Sequence, residues 1–152
     1  MPTLARAAAW LQANALYANV EIKPCPGREA ETGAAVALEM RACWRDEARP
    51  PLLSSFSEAA LAAAASAAPE LPRALLVTAE PPSDWLQRCR ALGCVALDAD
   101  HRALTRGLIA RAHEAGLRVL AYTVNTPARA RTLSGWGLDG LITDLVDRIP
   151  AS

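Results

Sequence analysis

Glu21 and Lys23, within Asn19-Val20-Glu21-Ile22-Lys23-Pro24, are the residues of this chain whose types and spacing best fit chemistry. The stretch reads as a buried strand that ends in a carboxylate and an amine. Side chains alternate faces along a strand, so Glu21 and Lys23 share one face while Val20 and Ile22 take the other. An acid and an amine at the end of an apolar strand are costly to desolvate unless they pair or meet a ligand. A metal ion on the carboxylate and a phosphate on the ammonium would satisfy both. A surface ion pair on an edge strand would also satisfy them, and these residues alone leave that alternative open.

Other polar groups recur after short apolar runs: Ser54 and Ser55, Asp98 and Asp100, Thr123 and Asn125, Thr143 and Asp144. The two histidines differ in setting. His101 follows Asp98 and Asp100 near a strand end and is the candidate general acid or base, although a structural or solvated loop histidine has the same surroundings. His113 falls in a helix expected over Thr105 to Ala115, on its solvent face. Cys25, Cys43, Cys89 and Cys94 lack paired C-x-x-C spacing and the density of a disulfide scaffold, so free thiols are expected rather than a zinc site.

The elements that must position these groups follow one pattern, an amphipathic helix, a glycine, then a short apolar strand. Helix Asp84 to Leu92 stops at Gly93 before Cys94-Val95-Ala96-Leu97, a helix ending at Ala115 stops at Gly116 before Val119-Leu120-Ala121-Tyr122, and a helix ending at Trp136 stops at Gly137 before Gly140-Leu141-Ile142. Glycine past a helix end supplies the left-handed residue that terminates it. Ser57, Ser83 and Thr126 sit at expected N-cap positions, with Pro127 in the first turn of the last helix. Upstream, Leu4 to Ala15 reads as a helix feeding the Glu21 strand, and Glu31 to Glu47 carries Val36, Met40, Cys43 and Trp44 on one face. Leu52 to Phe56, an alanine-rich helix and Ala74 to Val77 complete the series. The four tryptophans, Trp10, Trp44, Trp85 and Trp136, fall on helices, where packing against the sheet is expected.

Six strands separated by five helices call for a parallel sheet with helices outside it. No linker or composition change divides the 152 residues, so one domain is expected. An open nucleotide-binding sheet would carry a Gly-rich loop after its first strand, which Lys23-Pro24-Cys25-Pro26-Gly27 does not provide. Polar residues gathered at C-terminal strand ends favour a TIM (βα)8 barrel, but a complete barrel takes about 250 residues. Sixteen basic and sixteen acidic residues cancel, and no basic block with interleaved aromatics offers a footprint for nucleic acid. The apolar run Ala59 to Ala68 is too short to span a bilayer, and the first residues lack the pattern of a signal peptide, so a cytoplasmic protein without membrane insertion is expected.

Taken in order, Asn19-Val20-Glu21-Ile22-Lys23-Pro24, Leu53-Ser54-Ser55-Phe56, Tyr122-Thr123-Val124-Asn125 and Gly137-Leu138-Asp139-Gly140-Leu141-Ile142-Thr143-Asp144 resemble the bacterial cytoplasmic glycerophosphodiester phosphodiesterases. Pro69-Glu70-Leu71-Pro72-Arg73 and Leu92-Gly93-Cys94-Val95 add to the resemblance, which covers nearly the whole chain. It implies a TIM barrel of the PLC-like phosphodiesterase type and metal-dependent hydrolysis of glycerophosphodiesters to an alcohol and sn-glycerol 3-phosphate, a reaction of lipid and glycerol metabolism. It implies that Glu21 is a metal ligand for Mg2+ or Ca2+, that Lys23 lies near the phosphate, and that Phe56 and Tyr122 line the active-site mouth. For the two rings, a core position is the alternative.

The departures from the family pattern are equally specific. The family's first strands carry an H-R-G motif, an E-x-D pair and a second histidine, which act as acid and base and complete the metal site; none occurs in this sequence. The resemblance therefore implies an incomplete barrel of about six parallel strands with outer helices, truncated at its N-terminal side, whose activity by itself is expected to be impaired. The alternative is a non-catalytic partial barrel that forms a homo-oligomer through its open edge or pairs with a complementary chain.

Overall fold

The computed structural model describes residues 2–45 and 49–149, and among these described residues twelve elements alternate between helix and strand. They divide into two compact units, Met1–Leu75 and Leu76–Ser152, with the boundary inside the third strand. The first unit contains α1 (Leu4–Ala13), β1 (Asn19–Glu21), α2 (Glu29–Cys43), β2 (Leu52–Ser55), α3 (Glu58–Ala67) and the start of β3 (Arg73–Val77). The second contains the end of β3, α4 (Trp85–Ala91), β4 (Ala96–Asp100), α5 (Arg106–Glu114), β5 (Arg118–Tyr122), α6 (Pro127–Ser134) and β6 (Gly140–Leu141). The class is α/β and the fold is an incomplete (βα)8 barrel with six parallel strands and helices between them, as the sequence implied.

In the first unit β1 pairs in parallel with β2, and β2 with β3, in the register Glu21–Ser54–Ala74. Ile22, Leu53, Ala37, Met40, Ala60 and Ala64 form its core together, so one face of β1 and β2 lies against α2 and α3. Alternation puts Glu21 and Ser54 on the opposite face. Gly33 sits where α2 and α3 touch: a Cβ there would lie 2.8 Å from the Ala60 carbonyl carbon and Cα. Only a residue without a side chain permits that approach.

In the second unit β4 pairs in parallel with β5 from Ala96–Arg118 to Asp100–Tyr122, and β5 pairs with β6. Leu97, Val119, Ile109, Leu104, Val124 and Leu133 are fully buried. The helix punctuation behaves as expected: Gly93, Gly116 and Gly137 have φ of +61°, +80° and +90°. Ser57 and Thr105 cap α3 and α5 by accepting from Ala60 N at 3.2 Å and Leu108 N at 3.1 Å. Thr126 holds the N-cap position of α6 without a side-chain bond, and α4 is preceded by Asp84 rather than Ser83.

Several expectations need correction. The strand read as buried is only half so: β1 is three residues long with exposed, intermediate and exposed positions, because among the described residues β2 is its one paired neighbour. Helix α2 begins earlier than read and ends at Cys43, while Asp46 and Glu47, included in the expected helix, lie outside the described residues. Trp44 and Trp85 are buried, but Trp10 is 61% exposed on α1. The ten-residue α1 rests on the core through Ala8, Leu4 and Leu11. All four cysteines are free thiols. Among the described residues no helix is long and apolar enough to cross a membrane.

Candidate active site at the strand ends

Glu21 closes β1 and Lys23 follows it by two, so both project from the face opposite the core formed by Ile22. The structure brings them together, Lys23 Nζ lying 3.3 Å from Glu21 Oε2, with side-chain exposures of 77% and 35%. So exposed a pair adds little stability. It keeps two opposite charges available to a ligand at a strand end. Ser54, the register neighbour of Glu21, is fully buried and its Oγ has no hydrogen-bond partner. The adjacent Ser55 is engaged twice, donating to Ile22 O at 2.7 Å and accepting from Ser57 N at 3.0 Å. Phe56, one residue beyond β2, is 49% exposed. It is therefore not a core residue.

The oxygen donors here suit a hard cation of the Mg2+ type, which keeps several waters and is held by one or two carboxylates plus substrate phosphate. Glu21 would supply such a carboxylate. Among the described residues no group of three or more His, Cys, Asp or Glu forms a metal cage.

In the second unit Tyr122 closes β5, and its hydroxyl donates to Val77 O at 2.7 Å. Its ring is half-buried, with the polar tip already committed to the backbone. His101 follows β4; its N–H donates to Tyr122 O at 2.8 Å and its carbonyl accepts from Arg129, which also donates to Leu104 O at 3.0 Å. His101 Nδ1 is buried without a hydrogen-bond partner. Asp98 on β4 is fully buried. Asp100 is bound by Arg102 at 2.7 and 3.0 Å, and the guanidinium holds its carboxyl down at about 2 against the opposing effect of burial. A carboxylate held so low remains ionised at neutral pH and is unsuited to act as general acid.

Other polar residues take structural roles that the sequence reading missed. Asn125 pins the last loop: it donates to Asp144 Oδ2 at 2.9 Å and accepts from Thr143 Oγ1 and Asp144 N. His113, expected to face solvent, has a side chain 38% exposed and lies 2.8 Å from Asp139 Oδ2. Asp139 also accepts from Val119 N at 2.8 Å and Arg118 at 3.1 Å. Burial pushes the Asp139 carboxyl up, but these donors outweigh it and hold the group below its ordinary range. The Gly137-Leu138-Asp139 spacing marked the turn, yet its partners come from α5 and β5, beyond the reach of a local pattern.

Parallel βα repeats that carry an acid–amine pair at a C-terminal strand end define a protein of the (βα)8-barrel class. Comparison makes this specific. The profile of the glycerophosphoryl diester phosphodiesterase family matches residues 1–148. The chain belongs to that family. A phosphodiesterase from Oleispira antarctica, solved in complex with the product sn-glycerol-3-phosphate, is 33% identical, with a TM-score of 0.83 over 94% of this chain and 57% of the other. A protein from Silicibacter pomeroyi classed as a glycerophosphoryl diester phosphodiesterase is 26% identical, with a TM-score of 0.77 over 94% of this chain and 52% of its own. A glycerophosphodiester phosphodiesterase from Parabacteroides distasonis shares the fold at 17% identity, with a TM-score of 0.78 over 96% and 61%. The chain thus spans between half and two thirds of the length of these solved relatives. No curated protein matches it.

Proposed function

We propose that this chain forms, as a single domain, part of a divalent-cation-dependent phosphodiesterase that hydrolyses glycerophosphodiesters to an alcohol and sn-glycerol 3-phosphate, in the lipid and glycerol metabolism of the cytoplasm. The observation that carries the reading is the Glu21–Lys23 pair, 3.3 Å apart on the non-core face at the end of β1. Family membership supports it, as does the product bound by the Oleispira antarctica relative.

On this reading Glu21 helps to hold Mg2+ or Ca2+, which when bound offsets negative charge on the phosphate. Lys23 leaves its carboxylate partner and places its ammonium against phosphate oxygens, where charge grows as the phosphorus is attacked. Phe56, half-exposed beside the same strand ends, offers an apolar wall to the glycerol or alcohol portion. His101 is the one histidine near a strand end, and a single acid or base cannot serve both sides of a scissile bond. The 152 residues contain neither H-R-G nor E-x-D. By themselves they are expected to turn over little substrate.

Isothermal titration of the chain with sn-glycerol 3-phosphate in Mg2+ or Ca2+ tests the reading. Binding that weakens about tenfold or more in Lys23→Met and Glu21→Gln is expected, in line with loss of a charge-assisted hydrogen bond. Absence of binding, or indifference to both substitutions, would overturn it. Turnover of glycerophosphocholine at the rate of a full-length relative would overturn the expected impairment alone.

A second reading is favoured by the strand pairing: among the described residues β1 pairs only with β2, and β6 only with β5. Unpaired edges are ordinarily covered. A non-catalytic role through self-association, or pairing with a chain that brings further strands, would cover them. Sedimentation showing a stable monomer at low concentration would rule out self-association.

A further inference from the structure

We infer that Ser54 is a positioning residue for Glu21, its hydroxyl donating a hydrogen bond to the carboxylate once that carboxylate turns from Lys23 toward a divalent cation. The inference rests on the proposed cation role of Glu21 and goes beyond it. Register places Ser54 directly beside Glu21 on the same face of a parallel pair, with backbones about 4.8 Å apart. On its other side the register neighbour is Ala74, which has only a methyl group to present. Among these register neighbours, Glu21 is the one polar side chain.

The hydroxyl is fully buried and makes no hydrogen bond. A buried polar group of that kind forfeits the bond it makes in water, and native proteins keep few of them without a reason. Its neighbour Ser55, on the opposite face, satisfies its hydroxyl twice. The contrast shows that this strand end can satisfy a serine, whereas Ser54 is left without an acceptor. In the structure the Glu21 carboxylate leans to Lys23. When Lys23 is drawn to a phosphate, the freed carboxylate has one oxygen for the cation and one for the Ser54 O–H. Partners of this kind fix the orientation of a ligating carboxylate, and their removal lowers metal affinity about 10–100-fold.

Mn2+ titration followed by water-proton relaxation reads weak cation binding without relying on turnover. Wild type, Ser54→Ala, the near-isosteric Ser54→Cys, Glu21→Gln and the Ser54→Ala/Glu21→Gln double variant are compared, each with its melting temperature in the absence of metal. The expected result is a loss of Mn2+ affinity of about tenfold in both Ser54 variants, no loss of metal-free melting temperature, and no further effect of Ser54→Ala once Glu21 is Gln. Wild-type affinity in both Ser54 variants overturns the inference and leaves the role of Glu21 intact. A fall in metal-free stability, or an equal effect of Ser54→Ala in the Glu21→Gln background, also overturns it, because the hydroxyl would then serve packing or another acceptor. If Mn2+ binding is absent in wild type or insensitive to Glu21→Gln, the cation role of Glu21 fails and this inference fails with it.

Discussion

Replacing Gly33 with alanine should destabilise the chain, although alanine is the better helix former. In an unobstructed helix the exchange gains about 1 kcal/mol. At Gly33 the new methyl would lie 2.8 Å from both the carbonyl carbon and the Cα of Ala60, and closer still to its oxygen. These are backbone atoms, so no rotamer change relieves the clash. Helices α2 and α3 must move apart by at least about half an ångström, which loosens contacts along the core they share with β1 and β2. Overpacking of this kind costs about 1–3 kcal/mol and sometimes more. With the upper value and the propensity gain set against it, the net loss is about 2 kcal/mol, or roughly 4–8 °C in melting temperature for a chain of this length. Differential scanning calorimetry of Gly33→Ala beside Gly107→Ala separates the two effects. Gly107 is exposed on α5, where a Cβ would meet only the Thr105 hydroxyl at 3.9 Å, so that exchange should be neutral or stabilising by up to about 1 kcal/mol. An unchanged or raised melting temperature for Gly33→Ala would falsify the packing argument.

Asp139→Asn should cost about 1–3 kcal/mol near neutral pH, because Asp139 accepts from Val119, His113 and Arg118. Its carboxyl is held below the ordinary range, so the stabilisation is present above about pH 4 and fades as pH falls through the folded value. Melting curves of wild type and variant should therefore converge in acid, and a gap that persists unchanged at low pH contradicts the assignment. Arg102→Ala should let the Asp100 carboxyl rise from about 2 toward about 3.9 in an NMR titration; no rise would show that another group holds it down. Tyr122→Phe removes the bond to Val77 O and should cost about 0.5–1.5 kcal/mol in urea unfolding, whereas an unchanged midpoint would place the hydroxyl elsewhere.

The alternation of helices and strands was legible because its signals are local. A glycine with positive φ after each of three helices and serine or threonine caps before others depend on a few neighbouring residues. The Glu21–Lys23 pair was legible for the same reason, since period-two alternation alone puts both on one face. What escaped depends on partners distant in sequence. Asp139 meets His113 and Arg118 across separations of 26 and 21 residues, and Asn125 reaches Asp144 across 19. The difference between Ser54 and Ser55 escaped for the same reason, since Ser55 finds Ile22 O across 33 residues. Trp10 was misplaced because its amphipathic helix meets the core through smaller residues, leaving the large ring outside.

Ser55 carries a lesson for anyone transplanting this strand end into another scaffold. Its hydroxyl staples the carbonyl of Ile22, next to the charged pair, to the N-cap residue of α3. A graft of Glu21 and Lys23 without that serine and the helix behind it would carry the right charges on an untethered stem.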